Sequence, residues 1–421
     1  MTPVRRCPIR YLEPVLPLPA RQDSPRQERA VRNDRRVVES AIAVLDDSGW
    51  GGLSPTQVAR RAGLNPSTVS ARFPSRAALA AGAWREQLAQ MWLSQVSALI
   101  EVGDGPGATG AELVTAFDPF MSPSPEMRAA CELILVSSYE SSLQRAIADT
   151  VGARLTDWVT PVRGHLTRTD AARHAFLIAK SLGFVLEAGR LGDFDADFRQ
   201  PMDALAYALT HPTSPARLPA ARADFLDEPM DFATGDPAWD AILSATLDCV
   251  GEFGYEAATI DAIDAAAGYS RTVIFSRYRT KQDLFIDATD RVLAKNVALT
   301  VAYQQAIEAT SGDGIPDSCY LREIMRPERT RIRTIGLEQI RLAAHIEALQ
   351  KPIRESLSQY EEIFQAEAPD QSSRQIRARL ISDVALSTGA LALAQLRSDV
   401  WQLPFDTMLV PLRQGAVQQR S

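Results

Sequence analysis

The chain has 421 residues, 46% apolar and 23% charged, a composition typical of a globular protein with two or three domains. Its 45 basic and 52 acidic residues give a formal net charge of −7, so any contact with nucleic acid would depend on a local basic patch. Four scattered cysteines and four scattered histidines show neither a disulfide framework nor zinc-ligand spacing. We therefore expect a reducing, cytoplasmic location and no metal or cofactor.

The first 30 residues combine six prolines with several arginines, which cannot sustain a helix and bury little surface. We interpret residues 1–30 as a disordered arm, and its prolines interrupt the apolar run that a secretory signal needs. No later stretch reaches about 18 consecutive apolar residues, so we expect no membrane span.

Beyond the arm, apolar residues recur three and four positions apart in segments rich in Ala, Leu, Arg and Glu. This pattern predicts an all-α protein. The first predicted helix buries Val38, Ile42 and Leu45 along one stripe and ends at Gly49.

A second, short helix is predicted to start at Ser54, which supplies an N-cap with Gln57 three residues later, and to stop at Gly63. Asn65 then caps a third helix two residues further on. The space between Gly63 and Asn65 leaves room for a tight turn, which is the spacing of a helix-turn-helix.

The same arrangement recurs 205 residues later, where residues 254–268 align without a gap with residues 49–63. In the second copy Thr259 is predicted to cap the start of the second helix, and Gly268 is predicted to end it. Ser270 is predicted to cap the start of the third helix. Such an internal repeat predicts two copies of one structural unit in a single chain.

In each third helix one apolar residue, Val69 or Ile274, is predicted to face inward, and the remaining residues to face out. Small polar side chains allow a helix to lie deep in the major groove, where hydroxyl and guanidinium groups reach base edges. We expect four basic residues to hold phosphates beside the two helices: Arg72, Arg76, Arg277 and Lys281.

Both segments resemble the tetracycline-repressor (TetR) family pattern. The matching positions are Ser54, Ala62, Gly63, Asn65, Val69, Phe73, Ser75, Arg76 and Leu79 in the first copy, and Thr259, Ala267, Gly268, Ser270, Ile274, Tyr278, Thr280, Lys281 and Leu284 in the second. The family usually has a tyrosine in mid-helix and a histidine two residues later, where this chain has Ser70 and Phe275, then Arg72 and Arg277. An arginine in place of histidine retains a phosphate-binding charge.

The resemblance implies a helix-turn-helix DNA-binding domain followed by a helical ligand-binding and dimerising body, at about half this length. This chain therefore looks like two such units in tandem. The predicted domains are an arm at 1–30, the first helix-turn-helix domain at 31–88, a regulatory body at 89–210, a proline-rich linker at 211–236, the second helix-turn-helix domain at 237–293 and a second body at 294–412.

The residues predicted to contact double-stranded DNA come from both copies. They are Arg36, Ser54, Thr56, Asn65, Ser67, Thr68, Ser70, Arg72, Phe73 and Arg76 in the first, and Thr259, Ser270, Arg271, Thr272, Phe275, Arg277, Tyr278 and Lys281 in the second.

The local charges of the two copies differ. Residues 26–90 hold ten arginines and six acids, a balance of +4, whereas residues 231–295 hold six basic residues and eleven acids, a balance of −5. Since phosphate contacts drive affinity, we expect the first motif to dominate. Two arrangements remain open: a pseudo-dimer reading unlike half-sites about 34 Å apart, or a second half that mainly dimerises.

By resemblance, a small apolar or amphipathic effector in the helical bodies would alter DNA affinity. The aromatic residues of the bodies could line such a pocket or be ordinary core. The sequence shows no nucleophile, phosphate loop or metal signature, so we expect no catalysis. The alternative function is a regulator-like protein-interaction scaffold with weak or no DNA binding.

Overall fold

The computed structural model describes residues 25–162, 166–219, 232, 234–309, 311–312 and 314–418. The all-α fold expected from the sequence is confirmed, with one isolated bridge between Val162 and Leu166 among the described residues. None of the helices in these ranges is both long enough and apolar enough to cross a membrane.

Ten helices form the described part of the first half. They are α1 (Pro25–Gly52), α2 (Pro55–Ala62), α3 (Pro66–Arg72), α4 (Arg76–Ala83), α5 (Ala89–Gly103), α6 (Gly110–Met121), α7 (Pro125–Val136), α8 (Ser141–Val159), α9 (Arg168–Leu191) and α10 (Arg199–Thr210). A π-helical turn, Trp84–Leu88, joins α4 to α5 without a break in the chain direction.

The described part of the second half has nine helices of matching order. They are α11 (Pro237–Phe253), α12 (Ile260–Ala267), α13 (Arg271–Phe275), α14 (Lys281–Glu308), α15 (Ile315–Met325), α16 (Thr330–Ala343), α17 (Glu347–Glu367), α18 (Ser373–Leu396) and α19 (Asp406–Gln418). Two short 3₁₀ turns, Pro327–Arg329 and Val400–Gln402, precede α16 and α19.

The first helix begins at Pro25, inside the segment predicted as a disordered arm, and residues 1–24 lie outside the described residues. Gly49 interrupts α1 with a φ of 61°, and Gly254 follows α11 with a φ of 76°, so both glycines occupy the left-handed region where a side chain would be strained. Much of the predicted linker at 211–236 also lies outside the described residues.

Buried apolar residues form two clusters. The larger contains the first helix-turn-helix and the first body, and continues into the second half through residues such as Leu386 and Leu409. The smaller contains the second helix-turn-helix with parts of α16 and α17, including Ile335 and Ile353. The two helical bodies therefore share one apolar core across the halves.

Helices α9 and α18 make the closest contact between the halves. A methyl group built at Gly183 on α9 would overlap the backbone carbonyl of Ala385 on α18, and one built at Gly389 on α18 would overlap that of Ala179 on α9. The contact is thus reciprocal, as in a two-fold symmetric interface where the same patch appears on both sides.

Buried polar groups add direct bonds to this interface. The Lys180 ammonium donates to the backbone carbonyl of Ser382 at 3.0 Å, and burial lowers its pKa to about 8. The Thr388 hydroxyl donates to the Glu187 carboxylate at 3.1 Å, and Arg190 pairs with the same carboxylate. Polar groups buried here are therefore hydrogen-bonded.

Replacing Gly183 by alanine is expected to lower the free energy of unfolding by about 1–3 kcal/mol, because the added methyl group overlaps backbone that cannot rotate away. Gly152→Ala on α8 is the matched control, since nothing lies within 4 Å of that position, and it is expected to be neutral or stabilising by up to about 1 kcal/mol. Urea denaturation of both variants tests this. Equal stability of the two variants would contradict the close approach of α9 and α18.

Candidate nucleic-acid interface

The first helix-turn-helix is built by local capping. Ser54 Oγ accepts a hydrogen bond from the Gln57 backbone N–H at 3.2 Å, and Asn65 Oδ1 accepts one from the Ser67 N–H at 3.0 Å. Gly63 ends α2 with a φ of 62°, which turns the chain toward α3. These bonds cap the starts of α2 and α3.

Helix α3 presents a polar surface. Val69 is the residue of α3 that is buried, and it fastens the helix to the rest of the unit. Its neighbours Ser67, Thr68 and Ser70 and the cap Asn65 are exposed. Short side chains of this kind leave room for the helix backbone to approach base edges closely.

The second helix-turn-helix repeats this design with a shorter third helix. The Thr259 hydroxyl accepts from the Ala262 N–H at 3.1 Å, Gly268 turns the chain with a φ of 72°, and Ile274 is the buried residue of α13. Ser270 is the N-cap residue but makes no side-chain cap bond.

The exposed surface of α13 differs in chemistry from that of α3. Arg271, Thr272 and Phe275 face solvent, with 43% of Phe275 exposed. The Arg271 guanidinium lies 5.4 Å from the centre of the Phe275 ring and 3.3 Å from the Asp261 carboxylate. The two third helices therefore offer different groups to a partner.

Two arginines at equivalent positions flank the third helices. Arg72 pairs with Asp34 at 2.8 Å while its side chain stays 58% exposed. Arg277 pairs with Asp236 and lies over the Trp239 ring at 4.7 Å, with 37% of the side chain exposed. Both can exchange a surface carboxylate for a phosphate, and Arg72 is the more accessible.

Arg76 and Lys281, predicted to hold phosphates, are engaged within the protein. Arg76 donates to the Leu53 carbonyl at 2.8 Å and lies 5.3 Å from the Trp50 ring centre. Lys281 donates to the Tyr255 carbonyl at 2.6 Å above the Tyr255 ring, and burial lowers its pKa. Each residue fastens the loop that follows the first helix of its own unit, so a structural role accounts for both.

Two aromatic residues predicted at the interface lie instead in the interior. Phe73 is buried against Gly82, where a methyl group would lie 2.6 Å from the ring. Tyr278 is buried and its hydroxyl donates to Asp287 at 2.6 Å. Packing therefore explains these two positions better than a contact with DNA.

The other predicted residues fall on or beside the two polar surfaces. Thr56 is exposed on α2, and the exposed Arg36 donates to the Ala62 carbonyl at the end of that helix. Ser54 and Thr259 use their hydroxyls as caps. The role of these residues in binding stays a prediction.

A buried network of charges, which sequence reasoning missed, joins the two units. The Trp50 backbone N–H donates to Glu132 on α7 at 2.7 Å, and the Tyr255 N–H donates to Glu338 on α16 at 2.8 Å. Arg341 connects them, donating to Glu132 at 2.8 Å and to Glu338 at 2.6 Å.

The same guanidinium also reaches the loop of the second unit. Arg341 donates to Glu256 at 2.8 Å, and Gly51 of the first unit lies against that carboxylate. The Tyr139 hydroxyl donates to Glu338 at 2.9 Å, and His345 lies 3.6 Å from Glu132. The last turn of α1 and the loop after α11 thus meet at one buried cation.

These partners set the charges of the network. Burial alone would raise the pKa of the Glu132 carboxyl, but Arg341, His345 and the Trp50 N–H together lower it to about 2. Burial beside Glu338 raises the pKa of the Tyr139 hydroxyl, which stays protonated as a donor. The sequence signal that could have found this site is the pair of glutamates, Glu132 and Glu338, at nearly equivalent positions of the two halves.

Comparison with known proteins identifies a family whose model matches the second unit. Residues 242–288 match the family model described as bacterial regulatory proteins, tetR family. A stretch of 86 residues is 36% identical to the HTH-type transcriptional repressor AcnR of Corynebacterium efficiens, which is 20% of this chain and 45% of that protein. The chain thus spans about half the length of the curated relative it matches. Residues 242–288 contain α12 and α13, so the second unit is a helix-turn-helix of this family.

Replacing Arg341, the cation at the centre of this network, is expected to destabilise the folded protein. Arg341→Met should lower the free energy of unfolding by about 3–5 kcal/mol at pH 7, because it leaves buried carboxylates without their partner. Lys351→Met is the control: its side chain is 80% exposed, and it should change stability by less than about 0.5 kcal/mol. Urea denaturation measures both.

The dependence of folding stability on pH tests the pairing of Arg341 with Glu132 independently. Because the folded pKa of Glu132 is lowered from 4.5 to about 2, its contribution to stability is present above about pH 4.5 and is lost as the pH falls toward 2. Arg341→Met removes one of the partners that lower the pKa of Glu132, so the folded pKa should lie closer to its ordinary value and acidification should cost this variant less stability than it costs the wild type. A parallel loss in both proteins would contradict the pairing of Arg341 with Glu132.

Proposed function

We propose that the chain is a TetR-family transcriptional regulator made of two family units in tandem, which binds double-stranded DNA through α2–α3 and α12–α13. The family assignment of residues 242–288 and the identity to a transcriptional repressor support this proposal. The repeated caps, Ser54 with Asn65 and Thr259 with Ser270, support a duplicated origin. A regulator of this kind acts on DNA in the cytoplasm and needs no catalytic group.

The contact between the halves supports an intramolecular pseudo-dimer. Helices α9 and α10 of the first half pack against α18 and α19 of the second, with reciprocal contacts at Gly183 and Gly389. In this arrangement one chain supplies both halves of a dimer, and two helix-turn-helix units result without a second copy.

The observation that carries the proposal is the exposure of both third helices over one buried anchor each, Val69 and Ile274. Their outward residues differ, since α3 offers hydroxyl groups whereas α13 offers Arg271 and an aromatic ring. Arginine favours guanine, and an apolar side chain favours the thymine methyl group. We therefore propose an operator with two unlike half-sites.

The distribution of charges indicates that the first unit contributes more to DNA affinity than the second. Asp261 and Asp236 pair with Arg271 and Arg277 in the second unit, as Asp34 pairs with Arg72 in the first. In the first unit Arg29 is exposed on the part of α1 that extends beyond the counterpart of α11, Arg32 is exposed at the position equivalent to Pro237, and residues 26–90 carry a balance of +4. The arrangement in which the second half mainly serves dimerisation predicts an even stronger dependence on the first unit.

We also propose that the protein represses transcription, as the name of its relative suggests, and that a small effector modulates its binding to DNA. The aromatic side chains of the first body favour a core role, because Phe117, Phe176 and Phe184 are completely buried, and the Phe117 and Phe184 rings pack edge to face at 5.5 Å. An effector coupled to DNA binding by about 1–3 kcal/mol would change operator affinity about 5- to 150-fold.

Arg72→Ala is expected to weaken binding to DNA from upstream of the protein's own gene and to reduce the salt dependence of affinity by about one phosphate contact. Arg154→Ala, a comparably exposed arginine on α8, is the matched control and should leave both unchanged. Fluorescence anisotropy across a salt series measures this. A wild-type affinity that does not change with salt would favour the protein-interaction scaffold instead.

If the operator has two unlike half-sites, a substitution in the second unit should remove nuclease protection from only one of them. Arg271→Ala should remove protection from one half of a nuclease footprint and leave the other, whereas Arg72→Ala should weaken the whole, since the first unit leads. A footprint that Arg271→Ala leaves intact would assign the second unit to dimerisation alone.

A further inference from the structure

The first half contains a groove whose lining begins with Arg72 and Phe73 at the end of α3 and continues along α4 to α8. It has a volume of about 690 Å³ and lies between α4, the π-helical turn and α8. This volume falls within the range of pockets that bind small molecules. It lies outside the buried core of the body, at the junction of the helix-turn-helix and the body.

The floor of the groove is apolar and is made by small residues. Ala77, Ala78, Ala81 and Gly82 lie along α4, beside the ring of Phe73. Beneath them Trp84 is completely buried and donates to the Thr150 hydroxyl on α8 at 2.7 Å. This bond joins the two walls of the groove at its base.

The lining includes three arginines, of which Arg72 already pairs with Asp34. Arg85 lies on the π-helical turn and Arg145 lies on α8, and both side chains are exposed. Within the described part of the chain Arg85 has no ion pair or hydrogen bond, and the bond of Arg145 is a long one, 3.4 Å, to the Ser141 carbonyl of its own helix. Their guanidinium groups are therefore free to bind an anion.

The rim also contains acids that limit the charge of a ligand. Glu86 and Asp149 line the same groove. Their charges oppose a ligand with several negative charges, whereas a single carboxylate can be held by Arg85 and Arg145 in the bidentate geometry that guanidinium groups favour.

The second half provides an internal comparison, because larger side chains occupy the positions equivalent to Ala81 and Gly82. Ile286 and Asp287 stand where the first half has Ala81 and Gly82, and Asp287 bonds to Tyr278 and Arg291. On α17, Lys351 pairs with Glu355 at 3.7 Å, at the positions equivalent to Arg145 and Asp149. The π-helical turn is likewise absent from α14, which is α-helical throughout.

From these features we propose that the groove of the first half is a binding site for an amphipathic monoanion, a single carboxylate on an apolar body. The apolar part lies on the alanines of α4 and beside Phe73, and the carboxylate is held between Arg85 and Arg145. π-Helical turns are frequent at functional sites, and here the turn places Arg85 at the rim.

Occupation of this groove would link α4 to α8 and so fix the first helix-turn-helix relative to its body. The second unit would not respond directly. This regulatory consequence rests on the proposed function, but binding of the ligand does not, so the two are tested separately.

The test is isothermal titration calorimetry of the full chain without DNA, using decanoate and 1-naphthoate as probes and 1-decanol as the uncharged counterpart. At least one carboxylate is expected to bind with a Kd below about 1 mM, and the alcohol at least about tenfold more weakly. The double variant Arg85→Gln/Arg145→Gln should lose about tenfold or more in carboxylate affinity. Arg154→Gln, on the same helix but outside the groove, should bind as the wild type does.

A second variant tests the floor. Ala81→Ile copies the residue at the equivalent position of the second half and should weaken binding at least about tenfold by filling the groove. Failure of both carboxylates to bind the wild type below about 1 mM, or equal binding by the groove variants and Arg154→Gln, would overturn the site.

DNA binding gives a separate outcome. If the double arginine variant instead lowers DNA affinity and the salt slope in the absence of any carboxylate, the groove holds phosphate and the proposal is wrong. If the carboxylates bind as expected but leave DNA affinity unchanged, the ligand site stands and its regulatory role fails.

Discussion

The placement of both helix-turn-helix units depends on a single buried guanidinium, that of Arg341. It holds Glu132 and Glu338, which in turn accept the backbone N–H groups of Trp50, in the last turn of α1, and of Tyr255, in the loop after α11. Burying carboxylates is costly unless each is paired and hydrogen-bonded, and here all partners converge on one cation. The position of each unit on its body is therefore linked electrostatically to that of the other.

The sequence predicted the elements whose causes are local. Ser54, Gly63 and Asn65 cap, end and restart helices through bonds to residues within a few positions, so their pattern is readable without a tertiary structure. The sequence did not predict the long-range contacts of Arg76 and Arg341, because the Leu53 carbonyl lies 23 residues from Arg76 and Glu132 lies 209 residues from Arg341. A basic residue looks the same in a sequence whether it binds a phosphate or a backbone carbonyl of its own chain.

The two halves have the same order of helices but differ at their surfaces. Reciprocal glycines at the α9–α18 contact preserve the shared interface, since backbone in contact tolerates no side chain. Away from it, the acidic charge around α12 and α13, the exposed ring of Phe275 and the filled positions of α14 distinguish the second half. Packing constrains the interior of both units, whereas the residues at solvent-facing positions differ between them.

The α9–α18 contact joins two parts of one polypeptide rather than two molecules. Its halves meet at a concentration set by the connecting chain, so the pairing does not weaken on dilution as that of a separate dimer does. A substitution also appears once in the assembly instead of twice. One arm of the molecule can then acquire a new preference or lose an old one while the other keeps its own, which a protein assembled from two identical copies cannot do.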